Sequence, residues 1–425
     1  MSHLLLRRFL QHQKFSSKHI IDYEEKYGSN NYKPIPVVFQ RAKGVMVWDP
    51  EGKEYLDFLS SIGSVNQGHC HPRIIKAMAD QIHKITLSSR AFYNDQFGIY
   101  AKFMTELFQY DKILPTNTGA EAVETALKLS RKWGYEKKGI PENQAIIVSC
   151  TNNFHGRTIG AISLSTDPSA YTHFGPTVPQ LGAVCPSSNR TVRFGVLQDL
   201  VDCFEQHHKN IAAFIIEPIQ GEGGIIVPPA NYLTQVNELC TKFNILMIAD
   251  EIQTGIGRTG KMLCIDHNDV RADIVLLGKS LSGGVYPVSA VLADKDIMDV
   301  IKPGQHGSTF GGNPLACHVA MEALRVVIDE KLSENALEMG ELLRKSLHDL
   351  KSPIIKDIRG KGLLNAIEID SKYSAWELCL KMRDYGVLSR PTKDSIIRLA
   401  PPLVINKEQI LQGVDIIAKA LGELK

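Results

Sequence analysis

Four short runs of apolar, mostly branched residues constrain this chain more than any other feature: residues 145–148, 212–216, 245–249 and 274–277. None has the polar alternation of a half-exposed strand, and all are too short for a buried helix. They read as strands covered on both faces. Amphipathic stretches lie between them. In residues 121–135, Val123, Ala126, Leu127 and Ser130 fall at i, i+3, i+4 and i+7, which predicts a helix with one buried face. Strands alternating with helices predict an α/β domain, a mostly parallel sheet sandwiched by helices.

The pattern changes after Gly311-Gly312-Asn313-Pro314. Residues 313–329 and 332–350 read as two long helices, 363–369 as a strand after a turn at Arg359 to Gly362, and 376–385 and 407–421 as helices. This implies a smaller α+β domain. A chain of 425 residues suits a large domain and a smaller partner. The expected division is 1–20 as a targeting or disordered segment, 21–75 as an N-terminal part of the small domain, 76–312 as the large domain, and 313–425 as the C-terminal small domain.

Composition narrows the classes. A net charge of +2 gives no reason to propose nucleic acid as a partner. No apolar run reaches the roughly 20 residues that span a bilayer, so no membrane insertion is expected. The 8 cysteines form no C-x-x-C pair, so neither a zinc site nor a disulfide framework is indicated. The start, MSHLLLRRFLQHQKFSSKH, carries Arg7, Arg8, Lys14 and Lys18 and no acid before Asp22. That is the composition of a mitochondrial transit peptide and points to the matrix; the other reading is a basic tail on a cytoplasmic protein.

Open α/β sheets bind ligands beyond the carboxyl ends of their strands. Run 245–249 ends in Asp250-Glu251, and run 274–277 in Gly278-Lys279. A carboxylate so placed can keep a pyridine nitrogen protonated. A lysine there can form a Schiff base once burial or a nearby cation lowers its pKa. Thr118-Gly119-Ala120-Glu121 opens a helix; it reads as a phosphate cradle or as a plain helix cap. Phe154-His155-Gly156-Arg157 follows another strand, so an aromatic could stack on a flat ring and an arginine could fork onto a carboxylate. Two look-alikes are set aside. Gly255-Ile256-Gly257-Arg258-Thr259-Gly260 fits G-x-G-x-x-G but opens no helix directly from a strand. Gly278-Lys279-Ser280 lacks the first glycine of a phosphate loop, since Asp273 stands there.

These residues, with VNQGHCHP, LSSRAFYND, LPTNTGAEAVETALKL, NFHGRT, EPIQGEGG, ADEIQTGIGRTG, DIVLLGKSLSGG, HGSTFGGNPLA, RGKGLLNAI and IIRLAPPLVI, carry a family likeness from about Tyr23 to the C-terminus. The chain resembles the class III, fold-type I aminotransferases, most of all those acting on ornithine. The resemblance implies pyridoxal 5'-phosphate as cofactor. Lys279 would be its Schiff-base lysine and proton shuttle. Asp250 would pair with its ring nitrogen, Gln253 would bond its phenolic oxygen, and Phe154 would stack on the ring. Gly119 and Ala120 would hold the phosphate, joined by Thr309 from the neighbouring subunit of a homodimer. On the substrate side, Arg157 and Tyr32 would hold the end of ornithine remote from the reacting amine. Arg398 would bind the α-carboxylate of glutamate or 2-oxoglutarate, and Glu222 would shield Arg398 while ornithine reacts.

One position departs from the pattern. The ornithine enzymes carry Tyr where this chain has Ile62. Isoleucine offers no hydrogen bond, and 4-aminobutyrate aminotransferases have Ile there. The expectation is therefore transfer of the δ-amino group of ornithine to 2-oxoglutarate, with another ω-amino acid (4-aminobutyrate or N-acetylornithine) as the alternative donor.

Overall fold

The computed structural model describes residues 15–186 and 188–424. Seven strands form the central sheet: β4 (Lys112–Thr116), β5 (Ile146–Val148), β6 (Leu181–Gly182), β7 (Ile211–Ile216), β8 (Leu246–Asp250), β9 (Ile274–Leu277) and β10 (Ser289–Ala293). Their order is β4-β10-β9-β8-β7-β5-β6. β10 is antiparallel to both neighbours; the other pairings are parallel. The four apolar runs are thus strands of one sheet, and every residue of β5, β7, β8 and β9 is buried.

Alternate side chains of these strands feed two cores, as the pleat requires. Ala213, Ile215, Ile248, Ile274 and Leu276 meet Val123, Ala126 and Leu129 of the helix Gly119–Trp133 on one face. Phe214, Ile216, Met247, Ala249 and Val275 face the opposite way, into a cluster with Leu200, Phe204 and Val236. The first helix ends earlier than its periodicity suggests, because the chain widens into a π-turn at Gly134–Lys138.

Four antiparallel strands, β11 (Ile355–Lys361), β12 (Leu364–Ile369), β14 (Arg390–Lys393) and β15 (Ile396–Leu399), form a smaller sheet in the order β11-β12-β15-β14. Here the expected turn at Arg359 to Gly362 needs correction. Arg359 and Lys361 lie within β11, and the bend is confined to Gly362 and Leu363. β11 is an edge strand with no fully buried residue, so it lacks the apolar signature of a strand. The helix Leu332–Asp349 crosses this bend at Gly340, where any Cβ would collide with the Gly362 carbonyl.

A third sheet draws on both ends of the chain. β1 (Arg41–Lys43), β2 (Met46–Trp48) and β3 (Glu54–Asp57) form a meander, and β13 (Val387–Leu388) pairs in parallel with β3. The helix Ser17–Tyr27, capped by Ser16, precedes them. The basic segment read as a targeting signal falls largely on residues 1–14, outside the described residues. Among the described residues no helix is long and apolar enough to cross a membrane, and no cluster of potential metal ligands occurs.

Arg258 joins these units. Its side chain is fully buried, yet among the described residues it forms no ion pair within 4 Å. Nε and Nη2 donate to Asn66 Oδ1 at 3.1 and 2.5 Å, and Nη1 donates to the carbonyls of Leu363 and Pro401 at 3.0 and 2.6 Å. Burial pulls its pKa down to about 9. One guanidinium thus ties the loop after β8 to the segment after β3, the bend before β12 and the exit of β15. Arg258→Met would leave those acceptors buried without donors. A loss of about 3 kcal/mol or more is expected in chemical unfolding; a loss below about 1 kcal/mol would contradict this role.

Candidate active site

Parallel strands end on the same edge of a sheet, and the candidate residues gather there. Asp250 closes β8, Lys279 follows β9 after one glycine, Phe154 lies in the loop after β5, and Gly119 starts the helix after β4.

Asp250 is 4% exposed. His155 Nδ1 lies 2.7 Å from its Oδ2, and the Ile252 amide donates to Oδ1 at 3.1 Å. Both partners fix the orientation of the carboxyl group. The neighbouring Glu251 points elsewhere: it accepts from the Thr254 hydroxyl and the Ile265 amide and anchors the loop that carries Arg258. Of the two acids at this strand end, only Asp250 therefore belongs to the site.

Lys279 occupies a left-handed backbone position, φ +45°, at the start of a short 3-10 turn. Its amine has no hydrogen-bond partner among the described residues. Burial, aided by Arg398 and opposed by Glu222 and Asp250, lowers its pKa to about 8. Such an amine is substantially neutral near pH 8, the form that attacks a carbonyl.

The helix Gly119–Trp133 begins with a capping box. The Thr118 hydroxyl accepts from the Glu121 amide, and the Glu121 carboxylate accepts from the amides of Asn117 and Thr118. The Gly119 and Ala120 amides have no acceptor within the helix and stand at its positive end. The chemistry of this donor set fits pyridoxal phosphate: free N–H groups for a phosphate, a buried and oriented carboxyl group for a ring nitrogen, and an unpaired amine for an aldehyde.

Arg398, on β15, is 3% exposed. Its Nη2 meets Glu222 Oε1 at 2.8 Å and Thr392 Oγ1 at 3.0 Å, and its Nη1 reaches Gln253 Oε1 at 3.3 Å. Burial pushes the Glu222 carboxyl up, but Arg398 and Lys279 outweigh it and hold it below the usual range. The ion pair that the resemblance implies is therefore formed in this chain.

Other expected residues stand apart. Arg157 is exposed, its guanidinium 5.2 Å from the Phe154 ring centre. Tyr32 is 70% exposed, beside Arg390. Thr309 is exposed in a loop pinned just before it, by Ser308 to Asn117 and by His306 to Thr125. Ile62 lies in one left-handed turn with Ser60, Ser61 and Gly63 (φ 54°, 49°, 60° and 78°). That backbone is costly for a β-branched residue. Asp57 Oδ1 holds the turn by accepting from the amides of Leu59 and Ser60, and the Ser60 hydroxyl donates to the Ala400 carbonyl at 2.7 Å. Gly63 faces Gln253, so Ile62 sits on a turn bordering the site.

Sequence reasoning passed over two residues. His155 lies inside NFHGRT but was given no task. Glu217 directly follows β7, the same signal that marked Asp250. It is 5% exposed, and burial pushes its pKa up to about 7.

Residues 27–421 match the family model "Aminotransferase class-III". The chain belongs to the class-III aminotransferases. It is 57% identical to an ornithine aminotransferase of Saccharomyces cerevisiae, over 96% of this chain and 99% of that one. It is 54% identical to a mitochondrial ornithine aminotransferase of Rattus norvegicus, over 96% and 91%. A solved ornithine aminotransferase from Toxoplasma gondii, described as having partial occupancy of PLP at its active site, superposes with a TM-score of 0.93 at 46% identity, covering 99% of this chain and 97% of that one. The α/β reading with a mostly parallel central sheet is thereby borne out.

In the cofactor-free chain, trapping of a small aldehyde on Lys279 should rise with pH to a midpoint near 8, because only the neutral amine reacts. Peptide mapping after borohydride reduction reads this directly. A rise only above pH 10 would mean that burial does not tune this amine.

Proposed function

We propose that this class-III aminotransferase moves the δ-amino group of ornithine to 2-oxoglutarate, giving glutamate 5-semialdehyde, which cyclises to pyrroline-5-carboxylate, and glutamate. The Arg398–Glu222 pair carries this reading. A site serving an ω-amine donor and an α-keto acid acceptor must be able to hide its carboxylate-binding arginine, and this pair does so. The ornithine aminotransferases that share more than half of its residues support the donor.

Pyridoxal phosphate, when bound, supplies an aldehyde that condenses with amines and a ring that takes up an electron pair. The chain's own residues do the rest. Gly119 and Ala120 hold the phosphate through their amides. Asp250, held in place by His155, would face the ring nitrogen; Gln253 would donate to the phenolic oxygen; Phe154 would cover the ring. Lys279 would hold the cofactor, and its Nζ, in the neutral form, would be the group that moves the proton at the substrate carbon. Glu222 keeps Arg398 occupied while ornithine reacts and releases it to the α-carboxylate of 2-oxoglutarate. Arg157 and Tyr32 hold the far end of ornithine. The exposed Thr309 loop suits a homodimer in which each chain completes its partner's phosphate site. The basic N-terminal segment and the mitochondrial relative support the mitochondrial matrix as location.

Ile62 favours a second reading, 4-aminobutyrate or N-acetylornithine as donor, because the residue cannot hydrogen-bond the α-amino group of ornithine. Half-reactions followed by loss of cofactor absorbance decide between them. Ornithine should react fastest, and Lys279→Ala should abolish turnover. Ile62→Tyr should raise kcat/KM for ornithine by roughly 10-fold, the value of one buried hydrogen bond to a charged group. Faster reaction of 4-aminobutyrate would overturn the ornithine assignment.

A further inference from the structure

Glu217 holds two loops with one side chain. Its Oε1 accepts from the Phe154 amide at 2.9 Å, and its Oε2 accepts from the Gly221 amide at 3.0 Å. The first bond fixes the loop whose ring covers the proposed cofactor. The second fixes the residue immediately before Glu222. The Gly221 loop has little room to move toward the substrate side, since a Cβ on Gly221 would strike the Gln253 amide, which itself reaches Arg398. Gln220 reinforces the same fold-back: its side-chain amide donates to the Thr151 carbonyl, and its backbone pairs with Ile226.

We infer that Glu217 is a positioning residue that keeps the Glu222–Arg398 pair closed and links this gate to the Phe154 loop. The inference rests on the reading of that pair as a gate. The carboxylate form is needed for both bonds, because a protonated carboxyl keeps one good acceptor oxygen and turns the other into a donor. One of the two amides would then lose its partner, and the Gly221–Glu222 loop would loosen. The ionisable groups that bear on Glu217 are His155, which favours its charge, and Asp250, which opposes it. Lys279 also lies close enough to feel it. Burial places this titration near neutral pH, so the gate opens as pH falls through about 7.

Glutarate tests this without turnover, because it has two carboxylates and no amine. Calorimetry of the cofactor-loaded protein should show tighter glutarate binding at pH 6 than at pH 8. Glu217→Gln, which keeps the shape but offers one acceptor, should bind glutarate roughly 10-fold more tightly at pH 8. It should also lose most of the difference between the two pH values. A purely structural role would lower the melting temperature and leave glutarate affinity unchanged. Glu222→Gln separates the premises. If it fails to tighten binding, the gate reading falls. If it tightens binding while Glu217→Gln does not, the gate stands and the role of Glu217 is refuted. A flat pH dependence in the unaltered protein refutes it too, even should the Gln variant not fold.

Discussion

The direction of the strands in the central sheet decides where chemistry can occur in this protein. β4, β5, β7, β8 and β9 all run the same way, so their carboxyl ends share one edge. That edge receives Gly119, Phe154, Glu217, Asp250 and Lys279 from five separate stretches of sequence. All of them but β4 are buried on both faces and packed on both sides, which holds an acid and an amine in fixed relation. Reversing one strand would carry its terminal residue to the far side of the domain.

The smaller sheet contributes the other half of the site. Arg398 reaches it from β15, and Arg258 clamps the chain just beyond, at Pro401. The same guanidinium holds Asn66, beyond the left-handed turn that bears Ile62. A charge buried among neutral acceptors thus fixes the separation between the elements that would read the substrate and those that would hold the cofactor.

Much of this was legible in the sequence, and for identifiable reasons. The buried strands announce themselves as unbroken apolar runs, and their ends point to Asp250 and Lys279. Glu217 directly follows a buried strand and could have been found by the same rule. The pairing of Glu222 with Arg398 spans well over a hundred residues and came only from family likeness. β11 escaped because an edge strand alternates charge with partial exposure. The strained turn at Ser60 to Gly63 could not be read at all. Only its last residue is glycine, and what enforces its shape is Asp57, with the Ala400 carbonyl from the far end of the chain.

That turn has a consequence for how such a protein changes over time. Its left-handed course is imposed by Asp57 and by the hydroxyl of Ser60, neither of which involves the Ile62 side chain. The left-handed backbone is imposed on whichever residue stands at 62. Exchanging that residue alters a side chain on a turn that borders the site while the framework beneath it stays put. A position of this kind can vary by a single exchange, with no rebuilding of the fold.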